Sequence, residues 1–97
     1  INDHVIQYAV KLAAKSRPNT GHAAPIANQF LKWGAGPRAS QYLVLGAKTH
    51  AALNGKYAPD IEDVRAVAPA ILRHRIIKNY KAEAENINVD EIIAKLL

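Results

Sequence analysis

Hydrophobic residues recur along the chain at the three- and four-residue spacing of α-helices, beginning in the first segment. The apolar face of that segment consists of Val5, Ile6, Ala9, Leu12 and Ala13. Asn2 or Asp3 can cap this helix by accepting a hydrogen bond from a free backbone N–H. Pro18 disfavours helical dihedral angles at Arg17, so the helix should end near Ser16.

A long polar segment separates the first helix from the second. Residues 17–29 (RPNTGHAAPIANQ) have the composition of a surface loop, with a short helical turn expected near residues 26–30. Pro37 suits the first position of the second helix because it needs no N–H partner there, and Gly55 should end that helix. Its inner stripe consists of Ala39, Leu43, Gly46, Ala47 and His50. The small residues at the centre of this stripe should let another helix approach closely.

A third helix is predicted in the second half of the chain. Asp60 caps it, and Glu62 and Asp63 lie in its first turn, where the helix dipole favours anions. The inward-facing positions are Ile61, Val64, Val67 and Ala68. Pro69 should break or restart the helix, because a proline inside a continuous helix costs about 3 kcal/mol. Residues 74–80 (HRIIKNY) indicate an extended connector.

The last helix has a complete start signal, since Asn88 can cap it and Glu91 completes a capping box. Its buried side consists of Ile92, Ile93, Leu96 and Leu97. The four helices together predict an all-α fold, a four-helix bundle with one long loop between the first two helices. Residues 1–97 should form a single domain.

Composition excludes several kinds of site. The sequence contains no cysteine, so it can form neither a disulfide nor a thiolate metal site, and it suits a reducing cytoplasm. No apolar run approaches the roughly 20 residues that span a bilayer, so we expect no membrane contact. Methionine is absent even from position 1, so we expect these residues to be a piece of a longer protein.

The formal net charge of +5 is unevenly distributed. Residues 1–58 carry seven Lys or Arg and one acidic residue, a net charge of +6, whereas residues 59–97 carry six basic and seven acidic residues, a net charge of −1. A basic half suits nucleic acid, a nucleotide phosphate or an acidic neighbour. The alternative is that these lysines only solvate helix faces.

The usual catalytic and metal-binding patterns are absent from the sequence. It has no Ser–His–Asp pattern and no GxxxxGK[ST] phosphate-binding loop. The histidines lack the i, i+4 spacing of a helical metal pair, so no metal site is expected; they are His4, His22, His50 and His74. The carboxylates at positions 60–63 fit a helix N-terminus better than a catalytic pair.

The segment from Gly34 to Arg38 (GAGPR) is the strongest candidate for a functional site. Gly34, Ala35 and Gly36 should let the backbone turn sharply into the second helix, and Pro37 makes its first turn rigid. Arg38 lies beside the free N–H groups of that turn, where a cation is unfavourable by up to about 1 kcal/mol. An arginine in this position suits a bound phosphate, and an internal carboxylate partner for Arg38 is an equal alternative.

Three segments, WGAGPRASQYLVLGAKTHAALNGKY, EDVRAVAPAILRHRI and AEAENINVDEII, closely resemble the C-terminal lid domain of MoxR-type AAA+ ATPases, relatives of the magnesium-chelatase ATPase subunit. The elements GA-x-PRA, LRHR and AEAE occur in the order and spacing of that family. Gly36 stands where many relatives have serine. Asn86 stands where many have glycine, which asparagine can replace in the left-handed region.

The resemblance implies roles for particular residues. Arg38 matches the sensor-2 arginine, which reaches the γ-phosphate of ATP held by an N-terminal α/β module of the same chain. Residues 34–37 would position it and form the rest of the nucleotide-binding segment. Arg73, His74 and Arg75 match LRHR and are candidates for a structural or intersubunit contact. ATP and Mg²⁺ are expected in the full-length parent, and neither should be bound by this fragment alone.

The resemblance also implies a larger assembly. It would be a cytoplasmic, hexameric ring in which the parent, but not the fragment, hydrolyses ATP and remodels an unidentified protein client. The alternative function is a free-standing basic helical domain that binds nucleic acid, supported by the basic half and a pI near 9.7. The basic residues are spread over several elements without a recognition helix, so nucleic acid is the less favoured partner.

Overall fold

The computed structural model describes residues 2–97, and this range contains six helices and one two-stranded sheet. The helices are α1 (Asp3–Lys15), α2 (Pro25–Phe30), α3 (Arg38–Leu53), α4 (Ile61–Leu72), α5 (Tyr80–Ala84) and α6 (Val89–Leu96). The strands are β1 (Leu31–Trp33) and β2 (Ile77–Lys78). The predicted helical class is confirmed, but the four-helix bundle is not. The four main predicted helices are α1, α3, α4 and α6, and α2 matches the short helical turn expected near residues 26–30. The structure adds α5 and the sheet.

Helix α3 lies at the centre of the fold, packing mainly against α4 and also against α1, while α2 packs against α5 and α6. One continuous core connects the first helix to the last. Its largest fully buried apolar side chains are Leu12, Leu43, Leu72, Ile92, Ile93, Leu96, Val5 and Val64. Burial of these side chains from water is the main favourable contribution to folding.

The small sheet ties the predicted loop to the predicted connector. Strands β1 and β2 run antiparallel, with Leu31 opposite Lys78 and Trp33 opposite Ile77 across an irregular register. The backbone N–H of Asn79 then donates to the carbonyl of Phe30 at 2.9 Å. The extended connector predicted for residues 74–80 is confirmed only in part, because His74 and Arg75 lie in a turn and Tyr80 begins α5. Strand β1 was missed because its three residues are too few to show an alternation of apolar and polar positions.

Most helix ends follow the sequence signals. The side chain of Asn2 accepts from the N–H of His4, and that of Asn88 accepts from the N–H of Glu91, each at 2.8 Å. Gly55 follows α3 with φ of +76°. Asn86 has φ of 57°, which confirms it as a left-handed substitute for glycine.

The predicted break at Pro69 is wrong, because α4 continues from Ile61 to Leu72 with this proline inside it. Ala68 and Leu72 are fully buried, so the core anchors the helix on both sides of the proline. The N–H of Arg73 bonds to the carbonyl of Pro69 at 3.0 Å, so regular hydrogen bonding resumes within one turn. Tertiary packing here outweighs the local cost of proline.

The close approach predicted at Gly46 is confirmed. A Cβ atom at Gly46 would lie 3.0 Å from Cδ1 of Ile71 and 3.2 Å from Cγ2 of Val67. Helices α3 and α4 therefore pack with almost no space between them at this point.

Candidate functional site

The turn before α3 is held against the end of α1. The hydroxyl of Ser16, which is fully buried, donates to the carbonyl of Ala13 at 2.7 Å and accepts from the N–H of Ala35 at 2.9 Å. Nε of Arg17 donates to the carbonyl of Ala35 at 2.8 Å. Both backbone polar groups of Ala35 are thus bound by residues that end α1, which fixes the path of the turn.

The two glycines of the turn have different roles. A Cβ atom on Gly34 would collide with the backbone of Ser16 and Arg17, so only glycine fits there. A Cβ atom on Gly36 would meet nothing within 4 Å. Neither residue has a positive φ, so the expected sharp turn does not explain them. Gly34 instead allows a close approach of two backbones, and Gly36 leaves room for a larger residue.

Arg38 is the first residue of α3, with Pro37 in helical dihedral angles just before it (φ −57°, ψ −30°). Pro37 was predicted at the first position of the helix, and it lies instead immediately before the helix. No side chain caps this helix, and its first turn contains no acidic residue. Arg38 is exposed, and within residues 2–97 it forms no ion pair and no side-chain hydrogen bond. The internal carboxylate partner is therefore not found in that range.

A hollow of about 480 Å³ lies beside this turn. Its lining includes residues 34–37, the side chains of Arg17 and Lys32, and Trp33, and it contains no carboxylate. Trp33 is 60% exposed, an unusual position for the only tryptophan of the chain. The surface around the turn is therefore cationic with an apolar side.

The residues of the LRHR element separate into two groups. Nε of Arg73 lies 3.0 Å from Oδ1 of Asp90, an exposed ion pair that links the end of α4 to α6. The guanidinium of Arg75 lies over the ring of Tyr42, with Cζ 4.3 Å from the ring centroid. His74 is exposed next to it. Arg73 therefore has a structural contact, whereas His74 and Arg75 face the outer side of α3 and α4.

The sequence profile of the AAA lid domain matches residues 23–96. The chain belongs to the AAA lid domain family. Chaperone MoxR1 of Mycobacterium tuberculosis is 27% identical over 97 residues, which are all of this chain and 26% of that protein. A crystal structure of a candidate ATPase from Cytophaga hutchinsonii matches with a TM-score of 0.87 and 33% identity over 98% of this chain and 29% of that chain.

These matches identify a lid domain of the MoxR type. The lid domain spans little more than a quarter of the length of either relative.

An ion cluster that the sequence did not reveal joins α3 to α4 of the lid domain. Asp63 is 1% exposed, accepts from the N–H of Asp60 at 2.8 Å, and has Nζ of Lys56 at 2.6 Å and Nδ1 of His50 at 2.7 Å. The prediction that the carboxylates at 60–63 form a helix N-terminus is confirmed by this capping box. Its partners Lys56 and His50 were missed, because only the fold brings them to Asp63.

The cluster shifts the ionisation of its members. The hydrogen bond from Lys56, assisted by those from the backbone of Asp60 and from His50, lowers the pKa of Asp63 to about 2 although burial acts in the opposite direction. The same carboxylate, together with Glu62, raises the pKa of Lys56. Both charges therefore persist over the whole neutral range.

Residues 2–97 contain no group of three or more His, Cys, Asp or Glu side chains arranged to hold a metal ion. Within the same range, no helix combines the length and the hydrophobicity needed to cross a bilayer.

Proposed function

We propose that this chain is the C-terminal lid of a MoxR-type ATPase, in which Arg38 contacts the γ-phosphate of ATP held by an N-terminal α/β module of the same protein. The observation that carries the proposal is the position of Arg38. It is exposed and has no partner within residues 2–97, next to a helix start without a side-chain cap. A cation is unfavourable there unless an anion binds beside it.

The surroundings of Arg38 fit a phosphate. A guanidinium donates two parallel N–H bonds to phosphate oxygens. The backbone N–H groups of Ala39 and Ser40 already donate to the carbonyls of Gly36 and Pro37, at 3.0 and 3.3 Å, so the guanidinium would be the main donor to the phosphate. The N–H of Ala35 donates to the hydroxyl of Ser16, and Nε of Arg17 donates to the carbonyl of Ala35. These two bonds fix the backbone of the turn from which Arg38 extends. Preorganised charge of this kind stabilises the transferring phosphoryl group.

Bound ATP would supply the phosphoryl group, and Mg²⁺ would neutralise part of its charge. The described residues offer no metal-binding cluster, so the metal ligands would come from the α/β module and the nucleotide. The fragment would then contribute positioning and charge, but not the hydrolytic step by itself.

The same proposal includes an assembly. The parent would form a hexameric ring in the cytoplasm and couple ATP hydrolysis to remodelling of a protein client, in line with the chaperone name of the mycobacterial relative. Among the interface candidates, His74 and Arg75 are better placed than Arg73 for a contact with another chain, because Arg73 is already paired with Asp90.

The test compares ATP turnover and melting temperature in the full-length parent. We expect Arg38→Ala to lower the turnover on the order of 10²-fold with an unchanged melting temperature, because the side chain is exposed and lines no part of the core. Arg38→Lys should restore part of the rate, since an ammonium lacks the planar two-pronged geometry.

Lys48→Ala is the matched control, since Lys48 is an exposed cation on the same helix, and its turnover should equal that of the wild type. If Arg38→Ala unfolds the protein and turnover merely follows stability, Arg38 is a structural residue and the proposal fails.

A further inference from the structure

Helix α3 has a second apolar face that the core does not cover. Its core stripe consists of Ala39, Leu43, Ala47 and Ala51, all of which are buried. A separate stripe at i, i+3, i+7 and i+11 consists of Tyr42, Leu45, Thr49 and Leu53, all of which are exposed. Leu45 is 61% exposed and Leu53 is 82% exposed. Contiguous apolar surface of this kind is typical of an interaction site.

This stripe borders an open groove of about 700 Å³ between α3 and α4. Small and branched residues form its bottom, where Gly46 brings α4 close, with Val67, Ala70 and Ile71 on the α4 side. From Tyr42 to Leu53 the stripe is about 16 Å long, at the helical rise of 1.5 Å per residue. A groove of this length between two helices accepts about three turns of another helix.

Apart from Tyr42, the ionisable residues that line the groove are all basic. They are Arg75, His50 and His74, and no carboxylate lines it. Arg75 lies over the ring of Tyr42 and has no carboxylate partner within residues 2–97. His50 uses Nδ1 toward Asp63, which leaves its other ring nitrogen without a hydrogen bond in that range. A ligand that fills the groove would therefore gain from carboxylates at its edge.

We propose that this groove binds an amphipathic helix of a partner protein, with its apolar face on Leu45 and Leu53 and its carboxylates next to Arg75 and His74. The proposal does not depend on the ATP contact of Arg38, because Arg38 does not line the groove.

A second copy of the chain does not offer such a helix within the described residues. Helix α6 carries acidic residues, but its apolar side chains Ile92, Ile93 and Leu96 are fully buried. Helix α5 has only five residues. The occupant is therefore a helix from elsewhere.

The probe is a library of 18-residue helical peptides that have leucine fixed at i, i+3, i+4 and i+7 and Glu, Lys or Gln varied at the flanking positions. Its binding to the 97-residue chain, which has one continuous core, is measured by fluorescence polarisation. We expect peptides with glutamate beside the apolar face to bind about tenfold more tightly than their lysine counterparts.

Two groove variants separate the apolar and ionic contributions. Leu45→Gln should lower the affinity of every binding peptide by about tenfold or more. Arg75→Gln should abolish most of the preference for glutamate over lysine while peptides still bind. The controls are Val10→Gln and Lys11→Gln, which change an exposed apolar and an exposed basic residue of α1. Both should leave the affinity of the peptides and their preference for glutamate over lysine unchanged.

Each other outcome overturns the proposal. These outcomes are that no peptide binds, that lysine or neutral peptides are preferred, or that the groove variants bind as the wild type does while circular dichroism shows all of them folded. Sedimentation of the chain alone gives a further check, because a dimer lost in Leu45→Gln would make a second copy the occupant.

Discussion

Single side chains in the turn before α3 show what the sequence alone can predict. Arg38 could be selected as a candidate because a cation at a helix start conflicts with the helix dipole, and its contact with a phosphate stays a prediction. The role of Gly34 was not identifiable, because it depends on Ser16 and Arg17, which lie more than fifteen positions earlier in the sequence. Only the fold shows that these two segments touch.

The two glycines of the turn give a matched stability test. Gly34→Ala should lower the free energy of unfolding by about 1–3 kcal/mol, because the new methyl group is forced into the backbone at the end of α1. Gly36→Ala should leave it unchanged or raise it by up to about 1 kcal/mol, because its site is open and alanine restricts the unfolded chain. Urea unfolding of both variants measures the difference. Equal destabilisation by the two would contradict the close approach assigned to Gly34.

Among whole elements, the long helices and the short helical turn at α2 were predictable, whereas α5 and strand β1 were not. Helices α1, α4 and α6 have side-chain caps, and these three helices and the uncapped α3 all show a periodic apolar face. Helix α5 and strand β1 span five and three residues, too few for a periodic signal. The continuity of α4 through Pro69 was missed because the core on both sides of the proline decides it, and local propensity does not report tertiary packing.

Helix α4 carries a local cost that a substitution can remove. Pro69→Ala should raise the free energy of unfolding by about 1–3 kcal/mol, because alanine supplies the N–H that the carbonyl of Arg65 lacks and relieves the ring clash. The gain is reduced by the greater freedom of the unfolded chain. Pro69→Gly restores the same N–H with a poorer helix former, so its gain should be smaller by about 1 kcal/mol. A loss of stability in Pro69→Ala would show that the proline shapes the helix.

The junction of α3 and α4 should make stability depend on acidity through Asp63. Because its pKa is lower in the folded state, its contribution is complete above the ordinary value of 3.8 and is lost as the pH falls toward about 2. The raised pKa of Lys56 acts at the alkaline end of the pH scale. The contribution of Lys56 to stability is complete below pH 10.5 and is lost only at higher pH.

Thermal unfolding followed between pH 5 and pH 2 tests this acid dependence. Asp63→Asn keeps an oxygen for the N–H of Asp60 but removes the charge, so its melting temperature should be lower at pH 5 and should fall less steeply below pH 4. Glu85→Gln is the control, since Glu85 is exposed and forms no ion pair within residues 2–97. Parallel curves for Asp63→Asn and the wild type would rule out the cluster as the cause.

At the scale of the whole molecule, the order of motifs predicted the lid type better than any helix pattern did. The charge distribution was harder to interpret, because several basic residues of residues 1–58 form hydrogen bonds or ion pairs within the fold. Lys15 donates to the carbonyl of Leu96, Arg17 to that of Ala35, and Lys56 pairs with Glu62 and Asp63. The remaining basic residues of that half are Lys11, Lys32, Arg38 and Lys48, which lie on α1, β1 and α3.

This distribution predicts weak binding to nucleic acid. Four cations on three elements can neutralise few phosphates at once, whereas a protein with six to ten phosphate contacts loses roughly 10³–10⁵ in affinity between 50 and 200 mM salt. A gel-shift titration of the 97-residue chain with duplex DNA and single-stranded RNA should therefore give Kd values weaker than about 10⁻⁴ M at physiological salt, with a shallow salt dependence. Lys11→Gln combined with Lys48→Gln should change the result little. Tight binding with a steep salt slope, reduced in that double variant, would instead establish a basic nucleic-acid surface across α1 and α3.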